Sequence, residues 1–271
     1  MDALRIPAAT PFEESPNYMQ SLDRGLRVLR SFDLEHPSMT LSEVAERVRL
    51  SRAVVRRCLL TLQHLGYVAS QGRQFHLLPR TLDLGFHYLS SLSLPDRALP
   101  FMEQLAQEVH ESTSLSVLDD LDIVYVARVP VRRIMTVALG VGARLPAFAA
   151  SMGRVLLASL PGDDLEERLG RADLRPLTPA TIWQRDPLKA ELRKVRRQGY
   201  AMVVDELEVG LCSIAVPIHD HAGQVAGALN IGSRTREGCR EWALSVALPA
   251  LRETQDRIEQ NLAAHPPLVH R

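Results

Sequence analysis

The sequence predicts an α+β protein with a winged helix-turn-helix near its N-terminal end and a larger domain built on an antiparallel sheet. Two predicted helices separated by only Arg49 and Leu50 are typical of a helix-turn-helix. A predicted β-hairpin follows them and would form the wing. Farther along the chain, strands linked by hairpins with helices at both ends favour an antiparallel sheet covered by helices over a doubly wound fold.

The capping signals define the first three helices. A helix fits Ser21 to Phe32, with Ser21 as its N-cap and an apolar stripe along one side. Thr40 and Glu43 have the spacing of a capping box, in which each side chain binds a backbone N–H of the other's turn. Ser51 begins the next helix, which closes at Gly66.

The wing and the linker come next. Tyr67 to Ala69 and Phe75 to Leu77 read as two strands around a glycine-containing turn, and Thr81 begins a helix that ends near Pro95. These boundaries divide the chain into a tail (1–17), a winged helix-turn-helix domain (18–80), a linker helix (81–95) and a larger domain (96–264).

The larger domain alternates between β-rich runs and helical periodicity. We expect strands at 114–118, 123–129, 134–139, 201–204, 213–218 and 224–231. We expect helices at 97–111, 151–159, 163–169 and 187–198, and a long last helix that is kinked at Pro249.

Composition narrows the class of protein. A chain of 271 residues suits two domains, and its net charge is zero. The charge is unevenly placed, because seven arginines and no acidic residue lie between Arg47 and Arg80. We expect a cytoplasmic protein, since no secretory signal or apolar span is evident and the three cysteines are scattered.

The helix that begins at Ser51 is the candidate DNA-reading element. Its outward face carries Arg52, Ala53, Arg56 and Arg57. Arginine can donate two hydrogen bonds to guanine or bind a phosphate as a planar fork. A lone basic face is usually an ordinary solvated surface. Here it lies on the second helix of a helix-turn-helix, next to a wing whose turn contains Arg73, so we predict that these residues, Ser51 included, contact DNA.

The chain resembles the IclR-type bacterial regulators from Tyr18 to about Leu262. The N-terminal resemblance lies in YMQSLDRGLRVLRSF and TLSEVAERVRLSRAVVRRCLLTLQHLGYV. The C-terminal resemblance lies in VGARLPAFAASMGRVLLA and DELEVGLCSIAVPIHDHAGQVAGALNIG. The segments RIMTV, GARLPAF and SMGRVLLA resemble the branch that regulates aromatic-acid catabolism through protocatechuate and the β-ketoadipate pathway.

This resemblance implies a GAF-like effector-binding domain whose ligand lies between the sheet and the loops around the helix at Ser151. The positions carried over as effector-binding are Ser151, Met152, Gly153, Ser213, Asn230 and Gly232. Many relatives have cysteine at the position of Ser213, whereas this chain has Cys212 one place earlier. We therefore transfer no thiol role.

Physical chemistry points to the same region. A helix N-terminus has unpaired N–H groups that favour a carboxylate, and Arg144 is close by in sequence. For Ser151 the alternative is a plain N-cap, and for Met152 and Phe148 it is core packing. Arg144 could equally pair with an acid of the same domain.

Other chemistry finds little support. His219, Asp220 and His221 could suggest a metal, but Ala222 and Gly223 place them in a hairpin turn. The acidic residues Asp205, Glu206 and Glu208 have no nucleophile or base at readable spacing, so we expect a solvated or capping role for them. We therefore expect no metal site and no cofactor.

The sequence thus predicts a non-enzymatic transcription regulator. Its expected partners are double-stranded operator DNA, a small aromatic or ring-cleavage acid, and further copies of the chain in a dimer or a dimer of dimers. The acid would change either DNA affinity or a contact with RNA polymerase. One alternative is an enzyme that acts on such an acid and uses the N-terminal helices to bind a partner. Another is a DNA-compacting protein, which would carry basic charge along its whole length.

Overall fold

The computed structural model describes Phe12, residues 15–131 and residues 140–264. The chain divides into two compact units between Ser90 and Ser91, and each unit is described by itself. The predicted strand at 134–139 and the RIMTV segment lie outside the described residues. Within the described part of the chain, no helix is long and apolar enough to cross a membrane.

The first unit is a winged helix-turn-helix, as predicted. Its elements are α1 (Gln20–Leu29), β1 (Ser38–Thr40), α2 (Leu41–Val48), α3 (Arg52–His64), β2 (Val68–Gln71), β3 (Gln74–Leu77) and α4 (Thr81–Ser91), which runs into the second unit. The three strands form an antiparallel sheet in the order β1-β3-β2. Strand β1 was not predicted, because the segment around Ser38 was interpreted only as the end of the first helix.

The caps explain why α2 and α3 begin where they do. Thr40 and Glu43 form the predicted capping box, and the Ser51 side chain accepts a hydrogen bond from the backbone N–H of Val54. Between these helices Arg49 has a positive φ of 53°, which reverses the chain within a very short turn. The prediction that Ser21 caps the first helix is wrong, because α1 begins at Gln20 after an N-cap without a side-chain bond.

The second unit contains one antiparallel sheet among its described residues. Its strands are β4 (Ser112–Asp119), β5 (Asp122–Val129), β6 (Arg144–Pro146), β7 (Ala201–Val204), β8 (Leu211–His219) and β9 (Val225–Arg234). They lie in the order β6-β5-β4-β9-β8-β7. The predicted antiparallel sheet is confirmed, and β6 is an addition to it. Its helices are α5 (Ser93–Val109), α6 (Ser151–Ser159), α7 (Gly162–Arg171), α8 (Arg185–Gln198), α9 (Cys239–Trp242) and α10 (Leu248–Ala264).

The last helical region is interrupted before its proline. A π-helical segment, Ala243–Ala247, separates α9 from α10. Pro249 has no backbone N–H to donate to the preceding turn, which favours an irregular helix at this point. The sequence predicted a kink at Pro249, and the π-helical segment ends two residues before it.

Helix α6 packs very closely against the chain just before it. A Cβ atom built on Gly153 would lie 2.1 Å from the backbone oxygen of Ala147, so only glycine fits this contact. One residue later, Arg154 is 1% exposed, and its Nε donates to the backbone oxygen of Phe148 at 2.9 Å. The start of α6 is therefore held against the 3₁₀ turn Ala147–Ala149.

The charge of Arg154 is balanced by Glu206. Both terminal nitrogens of the guanidinium bind the Glu206 carboxylate, with Nη1 2.8 Å from Oε1. Glu206 also accepts a hydrogen bond from the backbone N–H of Ile182, and its backbone oxygen accepts one from the Thr181 hydroxyl at 2.6 Å. Both charges are buried, and each is paired with the other. The hydrogen bonds of Glu206 therefore connect α6 to the loop that contains Glu206 and to the loop that contains Thr181 and Ile182.

We predict that replacing Arg154 with Met lowers the free energy of unfolding by about 3 to 5 kcal/mol, because it leaves the Glu206 carboxylate buried without its partner. Chemical denaturation measures the loss, and E206Q should have a comparable effect. The matched control is R168Q, since Arg168 is paired with Asp120 at the surface and such pairs contribute about 0 to 1 kcal/mol. A loss in R154M no larger than in R168Q would contradict the role of the buried pair.

Candidate nucleic-acid interface and ligand cavity

Helix α3 has one buried and one exposed face. Val55 and Leu59 are fully buried in the core of the first unit. The predicted DNA-contacting residues are all exposed: Ser51, Arg52, Ala53, Arg56, Arg57 and Arg73. The amphipathic pattern therefore orients the basic face outward, as predicted.

The basic groups on this face are free to bind an anion. Within the described residues, no hydrogen bond or ion pair engages the guanidinium of Arg52, Arg56 or Arg73. The Ser51 hydroxyl caps α3. The alternative that Ser151 is a plain N-cap is wrong, because the N-cap of α6 is Ala150. Arg73 follows Gly72, whose positive φ of 64° forms the tight turn of the wing.

The second unit contains a cavity of about 290 Å³ between the sheet, the start of α6 and the loop before β8. Most of its wall is apolar, and a few polar side chains face the interior, a pattern typical of small-molecule sites. Its lining residues are Ser112, Ser114, Tyr125, Arg128, Leu145, Ala149, Ala150, Ser151, Met152, Val203, Leu207, Glu208, Leu211, Ser213, Asn230 and Gly232.

Three of the predicted effector-binding residues form a hydrogen-bonded group in this cavity. The hydroxyl oxygens of Ser151 and Ser213 are 2.6 Å apart, and the Asn230 amide nitrogen donates to the Ser213 hydroxyl at 2.9 Å. The antiparallel pairing of β8 and β9 explains why Ser213 and Asn230 are close together. Ser213 on β8 lies opposite Gly232 on β9, and Asn230 is two residues before Gly232 on β9. Met152 and Gly232 line the same cavity.

This group has unused hydrogen-bonding capacity. The amide oxygen of Asn230 is buried and has no hydrogen-bond partner among the described residues. Two serine hydroxyls share a single hydrogen bond, so one hydroxyl proton also remains available. Because an unpaired buried acceptor is costly, the cavity is suited to a ligand that donates a hydrogen bond to Asn230.

Two charged side chains line the cavity, and neither was predicted from the sequence as a site residue. Arg128, on β5, lines the cavity, and none of the described residues forms a hydrogen bond or ion pair with its guanidinium. Glu208, in the loop before β8, also lines the cavity, and its side chain has no hydrogen-bond or ion-pair partner among the described residues. Burial raises the pKa of Tyr125 to about 12, with Arg128 opposing the shift, so its phenol stays neutral.

Two of the predicted effector residues lie outside the cavity lining. Arg144, on β6, pairs at the surface with Asp119 and Asp122, which is the alternative that the sequence left open. Gly153 faces Ala147 instead of the cavity and is required for close packing. Arg128, and not Arg144, is therefore the arginine that lines the cavity. The charge of Arg144 is balanced by the two carboxylates that flank the turn between β4 and β5.

The remaining motifs have structural roles. Glu206 is buried in the ion pair with Arg154, so the expectation of a solvated or capping role is wrong for this residue. Asp205 accepts hydrogen bonds from Gly210 N–H and the Thr235 hydroxyl. His219 pairs with Glu259, and no group of metal-ligating side chains occurs in the part of the chain that is described.

The thiols are also structural. Burial and the neighbouring Cys239 raise the pKa of Cys212 to about 12. A protonated, buried thiol is a poor nucleophile. No thiol chemistry is therefore assigned to the strand that carries Ser213.

Sequence comparison matches both units of the chain to one family. The profile of the IclR helix-turn-helix domain matches residues 21–72, and that of the bacterial transcriptional regulator IclR C-terminal domain matches residues 86–260. The Pca regulon regulatory protein of Pseudomonas putida is 43% identical over 93% of this chain and 87% of its own. The p-hydroxybenzoate hydroxylase transcriptional activator of Acinetobacter baylyi is 34% identical over 94% of this chain and 96% of its own.

A solved structure extends the match to three dimensions. An IclR homologue from Microbacterium hydrocarbonoxydans, crystallised in complex with 4-hydroxybenzoate, superposes with a TM-score of 0.76. It is 28% identical, and the match covers 90% of this chain and all of the homologue. The family and these relatives are regulators and not enzymes, so the enzyme alternative is rejected. The chain belongs to the IclR family of bacterial transcriptional regulators, and its relatives support the branch that controls aromatic catabolism.

Proposed function

We propose that this regulator responds to a hydroxylated aromatic monoacid that binds in the cavity of the second unit. Occupation of the cavity changes either the affinity for operator DNA or a contact with RNA polymerase. The observation that carries the proposal is that one cavity contains both a cation, Arg128, and a buried acceptor, the Asn230 amide oxygen, and that neither has a hydrogen-bond or ion-pair partner among the described residues.

The size and lining of the cavity favour a small ring. Its volume of about 290 Å³ is just below the range of roughly 300 to 1,000 Å³ in which most ligand sites fall. Leu145, Met152, Val203 and Leu211 supply apolar surface. A benzene ring fits into this space with room for its substituents, since a cavity of about 150 Å³ is enough to bind benzene.

The polar groups favour one carboxylate and one hydroxyl donor. Arg128 can bind the carboxylate, and so can the first backbone N–H groups of α6, whose N-cap Ala150 offers no side-chain bond. The Asn230 oxygen can accept from a ring hydroxyl. Glu208 would repel a second carboxylate, so ring-cleavage diacids fit less well. The 4-hydroxybenzoate complex of the M. hydrocarbonoxydans homologue supports this assignment.

We predict that R128Q weakens 4-hydroxybenzoate binding by about 10- to 100-fold, since a charge-assisted hydrogen bond contributes about 1.5 to 3 kcal/mol. N230L should abolish the preference for 4-hydroxybenzoate over benzoate, because the variant lacks the acceptor for the hydroxyl. Thermal shift measures both, and a ligand at about 100 times its dissociation constant adds about 2.7 kcal/mol of stability.

The control variant is R144Q, which removes an arginine that the structure pairs with Asp119 outside the cavity. It should bind 4-hydroxybenzoate like the unmodified chain. Adipate serves as the aliphatic diacid. If adipate stabilised the chain and 4-hydroxybenzoate did not, the proposed ligand class would be wrong. If R128Q and R144Q weakened binding equally, the proposed site would be wrong.

We further propose that α3 enters the major groove and that Arg52 or Arg56 reads a base. Both side chains project from the first two turns of the helix, which reach base edges in this docking mode. Ser51, Ala53 and Arg57 flank them on the same exposed face. Arg73, in the wing turn, is proposed to contact phosphate or the minor groove.

We predict that R52A or R56A costs about 1 to 3 kcal/mol of binding energy on a duplex selected by the protein from a random pool, with relaxed preference at one base pair. R73A is the comparison, because it should weaken binding to all sequences. Anisotropy titrations on selected and random duplexes distinguish the two. Equal losses on both duplexes for R52A and R56A would exclude base reading by them.

We also propose that the chain works as a dimer or a dimer of dimers, consistent with two-fold symmetric operators. An apolar groove of about 450 Å³ lies between α1 and α3 of the first unit. Leu22 and Leu26 line this groove and are 58% and 46% exposed. Exposed apolar surface of this kind marks an interaction site, which a second copy would cover.

We predict that light scattering gives a multiple of the 30.2 kDa chain mass. The double variant L22E/L26E should lower that mass, because it places charges in the apolar groove. The matched control is L34E, since Leu34 is 79% exposed and lies outside the groove. A monomeric mass for the unmodified chain, or an unchanged mass in L22E/L26E, would contradict the proposed interface.

A further inference from the structure

Four arginines surround a concave surface on the first unit. The depression in this surface has a volume of about 340 Å³ and lies beside the C-terminal ends of α1 and α2. We call Arg27, Arg30, Arg47 and Arg49 the arginine patch. All four are exposed.

Local contacts account for two of them. Arg27 donates to the backbone oxygen of Val48 at 2.6 Å, and so supplies a partner for the carbonyl end of α2. Arg47 forms an ion pair with Asp33. Among the described residues, no hydrogen bond or ion pair engages the guanidinium of Arg30 or of Arg49. The described contacts of the unit therefore do not account for these two charges.

The backbone of Arg49 strengthens this distinction. Arg49 ends α2 with a φ of 53°, in the left-handed region where glycine is the preferred residue. A side chain at this position costs stability relative to glycine. Arg49 therefore occupies a position that favours glycine, and its guanidinium has no hydrogen-bond or ion-pair partner among the described residues.

The position of Arg49 indicates what the patch binds. Arg49 is two residues before Ser51, the N-cap of α3, and it follows directly on α2. When the second helix of this motif occupies the major groove, the first helix crosses the sugar-phosphate backbone. We propose that Arg30 and Arg49 form a second DNA-binding surface that binds backbone phosphates beside the groove occupied by α3. The proposal rests on the DNA binding of the family.

This surface would add affinity and no sequence preference. Phosphate contacts orient a protein on the duplex, and each one releases counterions on binding. The slope of log K against log salt concentration therefore becomes shallower by about 0.9 for each contact that is lost. Base readout by α3 would remain intact in variants of the patch.

The experiment uses the full chain and a random-sequence duplex, titrated by anisotropy between about 50 and 200 mM salt. R30A and R49G should each make the salt slope shallower by about one unit, and R30A/R49G by about two. R49G has a further readout that a purely structural role would not give. Its melting temperature should stay equal or rise, because glycine relieves the left-handed backbone.

The matched control is R197Q, which removes an exposed charge from α8 of the second unit. Its salt slope should equal that of the unmodified chain. A slope in R30A/R49G equal to that of R197Q would overturn the proposal, while the losses expected of R52A and R56A would still test the base-reading assignment separately.

Free phosphate is the other source of the same chemistry. Inorganic phosphate and ATP are titrated by thermal shift with the unmodified chain and with R30A/R49G. Neither should stabilise the chain through the patch. Stabilisation that R30A/R49G abolishes, combined with an unchanged DNA salt slope, would show that the patch binds a small anion and would overturn the assignment to DNA.

Discussion

The buried ion pair between Arg154 and Glu206 is the interaction on which the effector unit depends. It ties the second turn of α6 to the loop before β8, and Glu206 also holds the segment at Ile182. Both walls that it joins carry cavity residues, Ser151 on one side and Glu208 on the other. Removing either charge would leave the other buried without a partner, so the two walls are stable only together.

The cavity between these two walls contains polar groups that form no hydrogen bond with the described residues. The Asn230 oxygen and one serine proton have no partner within the described residues, and Arg128 is unengaged. The threonines beside the buried ion pair, by contrast, are closely paired: the Thr178 hydroxyl donates to the backbone oxygen of Asp205, and the Thr181 hydroxyl donates to that of Glu206. Unsatisfied groups that face a cavity are what a preorganised ligand site requires, because the ligand and not the protein completes their hydrogen bonds.

Local signals predicted most of the fold, including the capping box at Thr40 and the hairpin that aligns Ser213 with Gly232. Arg128 could not be predicted in this way. Leu115 pairs with Ala127 and Ser116 with Tyr125, so Val126 is an extra residue that brings Tyr125 and Arg128 to the same cavity despite their odd spacing. Proximity in sequence also favoured Arg144, whose carboxylate partners lie 22 and 25 residues away.

The most direct test of the central claim is a crystal structure of the chain with 4-hydroxybenzoate. We expect one molecule in the cavity, with its carboxylate within hydrogen-bond distance of Arg128 or of the first N–H groups of α6. Its hydroxyl should lie within about 3 Å of the Asn230 oxygen. A ligand bound outside this cavity, or one inside it whose hydroxyl leaves Asn230 unpaired, would contradict the account.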